Sequence, residues 1–193
     1  MMIFEDLIDE QTQDLIEEDI LSQDFPWFFC PYTIDLTNAT DLEKTFVYEQ
    51  GLNPNQFVHL VISESKVNSQ KIELIRPVLQ NLAEKMQKNI YVEKAKFNFL
   101  PQAISDDYHY PHVDIKSDSD DMMSMIYYVN NCDGDTYFFD DIGPKTKTYT
   151  TVVDKVTPKK GKAVIFESKQ FHSGSSPVVS EKRIVLNVVF KTI

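Results

Sequence analysis

The feature that most constrains this chain is a change of texture near Lys88, after which apolar and polar residues alternate with period two to the C-terminus. Seven short runs carry the alternation: KAKFNFL (94–100), HYPHVD (109–114), MSMIYYVN (123–130), DTYFFD (135–140), KTYTTVV (147–153), KAVIFE (162–167) and RIVLNVVF (183–190). Turn formers separate them at Asp133-Gly134, Gly143-Pro144, Pro158 to Gly161 and Gly174 to Pro177. Short strands at this spacing, with no helices between them, bury their apolar faces only by folding a sheet over itself or over another. The expected fold is therefore mainly β, a sandwich or barrel with supporting helices.

Upstream the pattern differs. Over 69–88, Ile72, Ile75, Leu79, Leu82 and Met86 recur at spacings of three and four, one stripe of an α-helix that packs against a sheet. Ser69 is placed to cap its first turn, and Pro77 inside the pattern predicts a kink or two shorter helices. Residues 1–22 carry Ile3, Leu7, Leu15, Ile16 and Ile20 among acids, which predicts one or two short helices. The run 27–36 reads as a strand interrupted near Pro31, and FVHLVI (57–62) as another. The expected organisation is a single domain over 1–193, with 1–90 as a helical and strand supporting layer and 91–193 as the β core.

Composition excludes some functions. Thirty acidic against 19 basic residues give a net charge of −11, a field that repels phosphate backbones and argues against nucleic acid as partner. No apolar run approaches the ~20 residues of a membrane span. The N-terminus is acidic where a signal peptide is positive, and Cys30 and Cys132 form no CxxC pair. A soluble, cytoplasmic protein is the expectation, with its oligomeric state left open.

The chemistry starts at His112-Val113-Asp114. In an extended strand, residues two apart share a face, so imidazole and carboxylate converge on one point. Alone, HxD recurs by chance, and a hydrogen-bonded strand histidine is the commoner outcome. Context changes the balance: the chain has four histidines, and His172 follows the strand KAVIFE and begins the turn HSGSSP. Two imidazoles and a carboxylate hold Fe(II) and leave neighbouring positions open. Arg183 heads the last strand, and alternation puts Val185, Asn187 and Val189 on its face, with Ile184, Leu186, Val188 and Phe190 on the other. A guanidinium facing into a barrel is costly unless it meets an anion.

HVD, MIYYVN, GDTYFF, KKGKAVIF, FHSGSSP and KRIVLNVVF resemble, in order and spacing, the strands of 2-oxoglutarate/Fe(II) dioxygenases, and most of all the prolyl 4-hydroxylase-like branch. The resemblance covers about residues 90–193. It implies a double-stranded β-helix, a jelly-roll or cupin-like barrel. It implies iron ligands at His112, Asp114 and His172, with Arg183 gripping the far carboxylate of 2-oxoglutarate. The tyrosine that helps hold that carboxylate falls on Tyr128, or on Tyr127 as the alternative, while Asn98 and Asn187 fall near the co-substrate. Fe(II), 2-oxoglutarate and O2 are the implied cofactors. The implied reaction hydroxylates a C–H bond, with peptidyl proline first among substrates and a free amino acid or other small metabolite second. A cupin-type metal protein without 2-oxoglutarate is the rival reading, and it leaves the inward Arg183 unexplained. The chain departs from the relatives in having Asp133-Gly134-Asp135 for Gly-Gly, and Arg183-Ile184-Val185 for Arg-x-Ser. The segments 101–111 and 115–122, rich in aspartate, border the HVD motif and are the expected substrate-selecting loops.

Overall fold

Strand β11 (Lys182–Thr192) runs through the middle of the molecule, paired along its length with β5 (Ile90–Pro101) on one side and β6 (Met122–Tyr128) on the other. It belongs to an eight-stranded sheet. β9 (Ala163–Glu167) and β1 (Met2–Phe4) extend the sheet beyond β6, and β3 (Gln56–Ser63) and β2 (Phe28–Cys30) extend it beyond β5. The short β4 (Lys66–Val67) pairs with β3. A second sheet has the order β10 (His172–Gly174), β7 (Thr136–Phe139), β8 (Val152–Val156). The structure, a computed structural model, describes residues 1–37, 44, 53–115, 121–140 and 151–193.

Each face of β11 meets a different environment. Ile184, Leu186, Val188 and Phe190 are fully buried in one cluster with Ile75, Val78 and Leu82 of helix α2 (Ile72–Met86) and Ile16 and Ile20 of helix α1 (Glu10–Leu21). The opposite face packs Val185 with Ile126, Tyr128, Val164 and Phe166 against Phe138 and Val156 of the small sheet. The Phe138 and Phe166 rings meet edge to face at 5.0 Å. The two sheets therefore stack with an apolar filling at one end, and α1 and α2 cover the outside of the large sheet.

Several sequence expectations change on contact with the fold. The helix is one element that continues through Pro77. Proline near the N-terminal side of a helix removes a single ladder bond, and the fully buried Ile75, Val78 and Leu82 hold both sides of it to the sheet. Ser69 lies ahead of the helix and not at its cap: its Oγ accepts from Lys71 N at 3.1 Å and hydrogen-bonds His59 Nε2 at 2.8 Å. The N-terminal segment supplies one helix, capped by Asp9 accepting from Thr12 N at 2.9 Å, and one strand, because Ile3 pairs with Val164 at the sheet edge. Residues 109–114 form no continuous strand; bridges join Tyr108 to Ser175 and His112 to His172. Pro111, which has no amide to donate, interrupts that ladder. Residues 116–120 of the expected 115–122 loop lie outside the described residues, as does most of the KTYTTVV run. Among the described residues, no helix is long and apolar enough to cross a membrane.

Truncating the dry face should therefore cost far more than truncating the wet side of α1. Leu82→Ala or Leu186→Ala, both fully buried, should lose about 2–5 kcal/mol. Leu15→Ala, 57% exposed, should stay within about 0.5 kcal/mol of the parent. Urea unfolding of the three variants checks the ordering.

Candidate metal centre

The site is assembled by one exchange of backbone hydrogen bonds. His112 N donates to His172 O, and His172 N donates to His112 O, each at 3.0 Å. This closely bonded antiparallel pair brings the two imidazole centroids to 4.5 Å. Asp114 N donates to Ser168 O at 3.1 Å, which carries the next ligand candidate to the same place. The ligand atoms of His112, Asp114 and His172 all lie within 4.8 Å of one another, and His172 Nε2 is 3.7 Å from Asp114 Oδ2.

Their surroundings prepare each group for a cation. His172 Nδ1 is 2.9 Å from Gln170 O. A carbonyl only accepts, so the proton sits on Nδ1 and the Nε2 lone pair faces Asp114. The Ser124 hydroxyl donates to Asp114 Oδ2 at 2.5 Å and is itself 2.9 Å from Ser168 Oγ. Burial pushes the Asp114 carboxyl upward, but His172, His112 and the Ser124 hydroxyl together pull it below its usual range. Burial, with His172 next, lowers His112 to about 3. The set at neutral pH is one carboxylate and uncharged imidazole at His112, which is the protonation that a divalent metal requires.

At the other end of the same cavity stands Arg183. It is 5% exposed and pairs with no carboxylate among the described residues. Its Nε donates to Gly134 O at 2.8 Å and its Nη2 to Thr136 Oγ1 at 2.9 Å. Glycines make the room: a Cβ at Gly134 would fall 2.9 Å from Arg183 Cδ, and one at Gly174 3.3 Å from the guanidinium carbon. No hydroxyl follows two residues after Arg183; Thr136, on another strand, accepts from the guanidinium and does not line the cavity. Asp133 has a separate task, accepting from the amides of Val178, Val179 and Ser180 at 2.9 Å each.

Alternation on β6 separates the two tyrosines. Tyr127 lies in the helix-side core and Tyr128 in the inter-sheet one. Tyr128 OH donates to Thr136 Oγ1 at 2.8 Å, and its ring lies 5.9 Å from the guanidinium carbon. It stands behind Arg183 and does not line the cavity. Asn98 and Asn187 do line it. Asn98 Nδ2 donates to Gln56 Oε1 at 2.6 Å, and Asn187 Oδ1 is buried without a hydrogen-bond partner. His109 lies by Arg183, with Nε2 3.2 Å from Ser176 Oγ. Burial, then the guanidinium, lowers it to about 3. Sequence reasoning passed over Lys96, Gln56 and Thr136. Period-two alternation from Asn98 was signal enough for Lys96, which shares its face of β5 and its cavity.

Residues 100–191 match the sequence profile of the 2OG-Fe(II) oxygenase superfamily. No protein of curated function matches the chain by sequence. Among solved structures the chain is similar to HygX from Streptomyces hygroscopicus, determined with nickel and 2-oxoglutarate bound, at 5% identity over 98% of this chain and 82% of that one, with a TM-score of 0.64. It is similar to AviO1 from Streptomyces viridochromogenes Tue57, at 10% identity over 96% and 86%, TM-score 0.59. An oxidoreductase of the 2OG-Fe(II) oxygenase family from Burkholderia pseudomallei gives 10% identity over 95% and 92%, TM-score 0.53. Identities this low speak for the fold, a double-stranded β-helix. The profile match speaks for the class. Within residues 100–191 the chain thus carries the profile of the 2OG-Fe(II) oxygenase superfamily, dioxygenases that use Fe(II), 2-oxoglutarate and O2.

The depressed imidazoles predict a pH dependence. His109 and His112 fall from 6.5 to about 3 on folding. The stability they contribute is whole above pH 6.5 and is lost as the pH falls toward 3, because the unfolded chain takes up the protons. Each can contribute a slope of up to about 1.4 kcal/mol per pH unit. In metal-free protein, His109→Gln should flatten the fall of the urea midpoint between those limits; an unchanged slope would contradict the assignment.

Proposed function

We propose that this protein hydroxylates a C–H bond of a peptide or small molecule, with His112, Asp114 and His172 holding Fe(II) and Arg183 binding the 5-carboxylate of 2-oxoglutarate. The observation that carries the reading is the pairing, within one cavity, of a two-imidazole, one-carboxylate cluster and a buried guanidinium with no carboxylate of its own. Such a donor set suits Fe(II) and leaves adjacent positions for a bidentate acid and O2. A planar guanidinium matches a carboxylate through two parallel hydrogen bonds.

Bound there, the iron with 2-oxoglutarate and O2 supplies the oxidising power, and 2-oxoglutarate leaves as succinate and CO2. The chain's own residues orient and shelter. Ser124 holds Asp114 Oδ2, which fixes the carboxylate plane, and Gln170 O fixes the His172 ring. Thr136 ties Arg183 to Tyr128, so that the guanidinium keeps one orientation while its Nη1 has no partner among the described residues. Tyr128 thus acts on the co-substrate through Thr136 and Arg183. Asn98 and Asn187 border the cavity between the two ends.

Ligand titrations separate these roles. His112→Ala, Asp114→Ala and His172→Ala should each abolish stoichiometric Fe(II) binding in a folded protein. Arg183→Ala should leave metal binding intact and weaken 2-oxoglutarate by about 2–5 kcal/mol, as for one half of a buried charge pair. Tyr128→Phe should cost about 0.5–1.5 kcal/mol. Equal 2-oxoglutarate affinity in Arg183→Ala and parent would overturn the anchor. Succinate release from 2-oxoglutarate against a panel of prolyl peptides, free amino acids and other metabolites then identifies the substrate.

A further inference from the structure

Lys96 is the charge in the cavity that the reaction machinery leaves unused. It lies on β5 opposite Asn187 of β11, and it faces the same cavity as His112, Asp114 and His172. Among the described residues it has no ion pair and no side-chain hydrogen bond. Its neighbours do not compensate it: Lys94 repels it, and Asp114, the nearest attracting carboxylate, is a metal-ligand candidate.

Its distance from Arg183 matters. Arg183 is paired across the sheet with Leu100 and Asn187 with Lys96, so the two cations stand four strand residues apart at opposite ends of the cavity. A rise of about 3.3 Å per residue makes this roughly 13 Å along the sheet. A five-carbon diacid held by Arg183 at one end and by the metal at the other has both of its carboxylates already engaged. In the loaded site, Fe(II) and Arg183 bring three positive charges, and Asp114 with 2-oxoglutarate three negative ones. These balance. Lys96 remains, next to the metal, with the unpartnered Asn187 Oδ1 on the adjoining strand.

We propose that the substrate carries an anionic oxygen group, a carboxylate or phosphate, and that Lys96 receives it on the side of the metal away from Arg183. Lys96 is then a specificity-determining residue: it fixes one end of the substrate so that a C–H bond a few atoms away lies over the open face of the metal. A small molecule with a free carboxylate or phosphate satisfies this; an uncharged internal peptide segment does not. The proposal rests on the functional reading above, and the test distinguishes failure of the two.

The full-length protein is loaded with Mn(II) and saturating 2-oxoglutarate, and acetate and inorganic phosphate are titrated as probes. Relaxation of the acetate ¹H and phosphate ³¹P signals by Mn(II) reports an anion held close to the metal, without any turnover. In the parent, at least one probe should show saturable relaxation. Lys96→Met should weaken it about tenfold or more, and Lys96→Arg, which keeps the charge, should retain it within about threefold. Both variants should bind 2-oxoglutarate within about twofold of the parent. The proposal is overturned if the parent shows no saturable effect beyond 2-oxoglutarate, or if Lys96→Met leaves it unchanged. It is equally overturned if Lys96→Met weakens 2-oxoglutarate as much as Arg183→Ala does. Failure of the parent to bind Mn(II) or 2-oxoglutarate at all would instead overturn the functional reading itself, and this proposal with it.

Discussion

The alternation of side chains along β11 is the constraint on which the rest of the structure depends. A strand presents successive residues to opposite sides, and β11 is held on both edges, by β5 and β6, so it cannot slip without turning every residue over. One side is Ile184, Leu186, Val188 and Phe190, fully buried under the helices. The other is Arg183, Val185 and Asn187, which line the cavity. A register shift of one residue would bury the guanidinium in an aliphatic core and open four apolar side chains to the cavity. The dry face therefore secures the charged one.

Burying Arg183 without a carboxylate partner is costly, and the surrounding residues offset the cost in part. Gly134 O and Thr136 Oγ1 accept two of its N–H bonds, the Tyr128 ring lies beneath it, and Gly174 makes space for the planar group. What is left over is directed into the cavity, where the proposed anionic co-substrate would complete it. The same logic applies at the metal end. The low protonation of His112, the ionised Asp114 and the fixed His172 tautomer leave three donors waiting for positive charge. The cavity is thus an arrangement of opposite deficits, one cationic and one anionic, in one lining. Among the described residues, Lys96 is the one charge in its lining that this pairing does not answer.

The departures from the family's pattern are accounted for by exchange of roles between strands. Where the family has a hydroxyl two residues after its basic residue, this chain has Val185, and Thr136 of β7 accepts from the guanidinium. Asp133, where relatives carry glycine, holds three consecutive amides of the 178–180 turn and so shapes the approach to β11. Asp135 meets Lys155 at 2.7 Å on the neighbouring strand. None of these changes touches the three metal-ligand candidates.

Read by itself, the sequence determined the elements whose signal is local. Period-two alternation marked β5, β6, β7, β9 and β11, the apolar stripe marked α2, and the spacing from HVD to His172 to Arg183 marked the chemistry, because strand alternation and helical periodicity are properties of neighbouring residues. It also separated the two faces of β11 correctly. Only the tertiary structure decided what depends on residues distant in sequence. His112 and Asp114 sit on a segment that is not a strand, and they are aligned by hydrogen bonds to His172 and Ser168. Ile3 became a strand through pairing with β9, and Pro77 stayed inside a single helix because the sheet holds both of its sides. Tyr128, not Tyr127, backs the guanidinium, and it does so through a threonine that no spacing rule points to. Lys96 looks like one more surface lysine until β5 is placed beside β11; the pairing with Asn187 turns it inward, and its charge acquires a meaning only from the groups the fold sets around it.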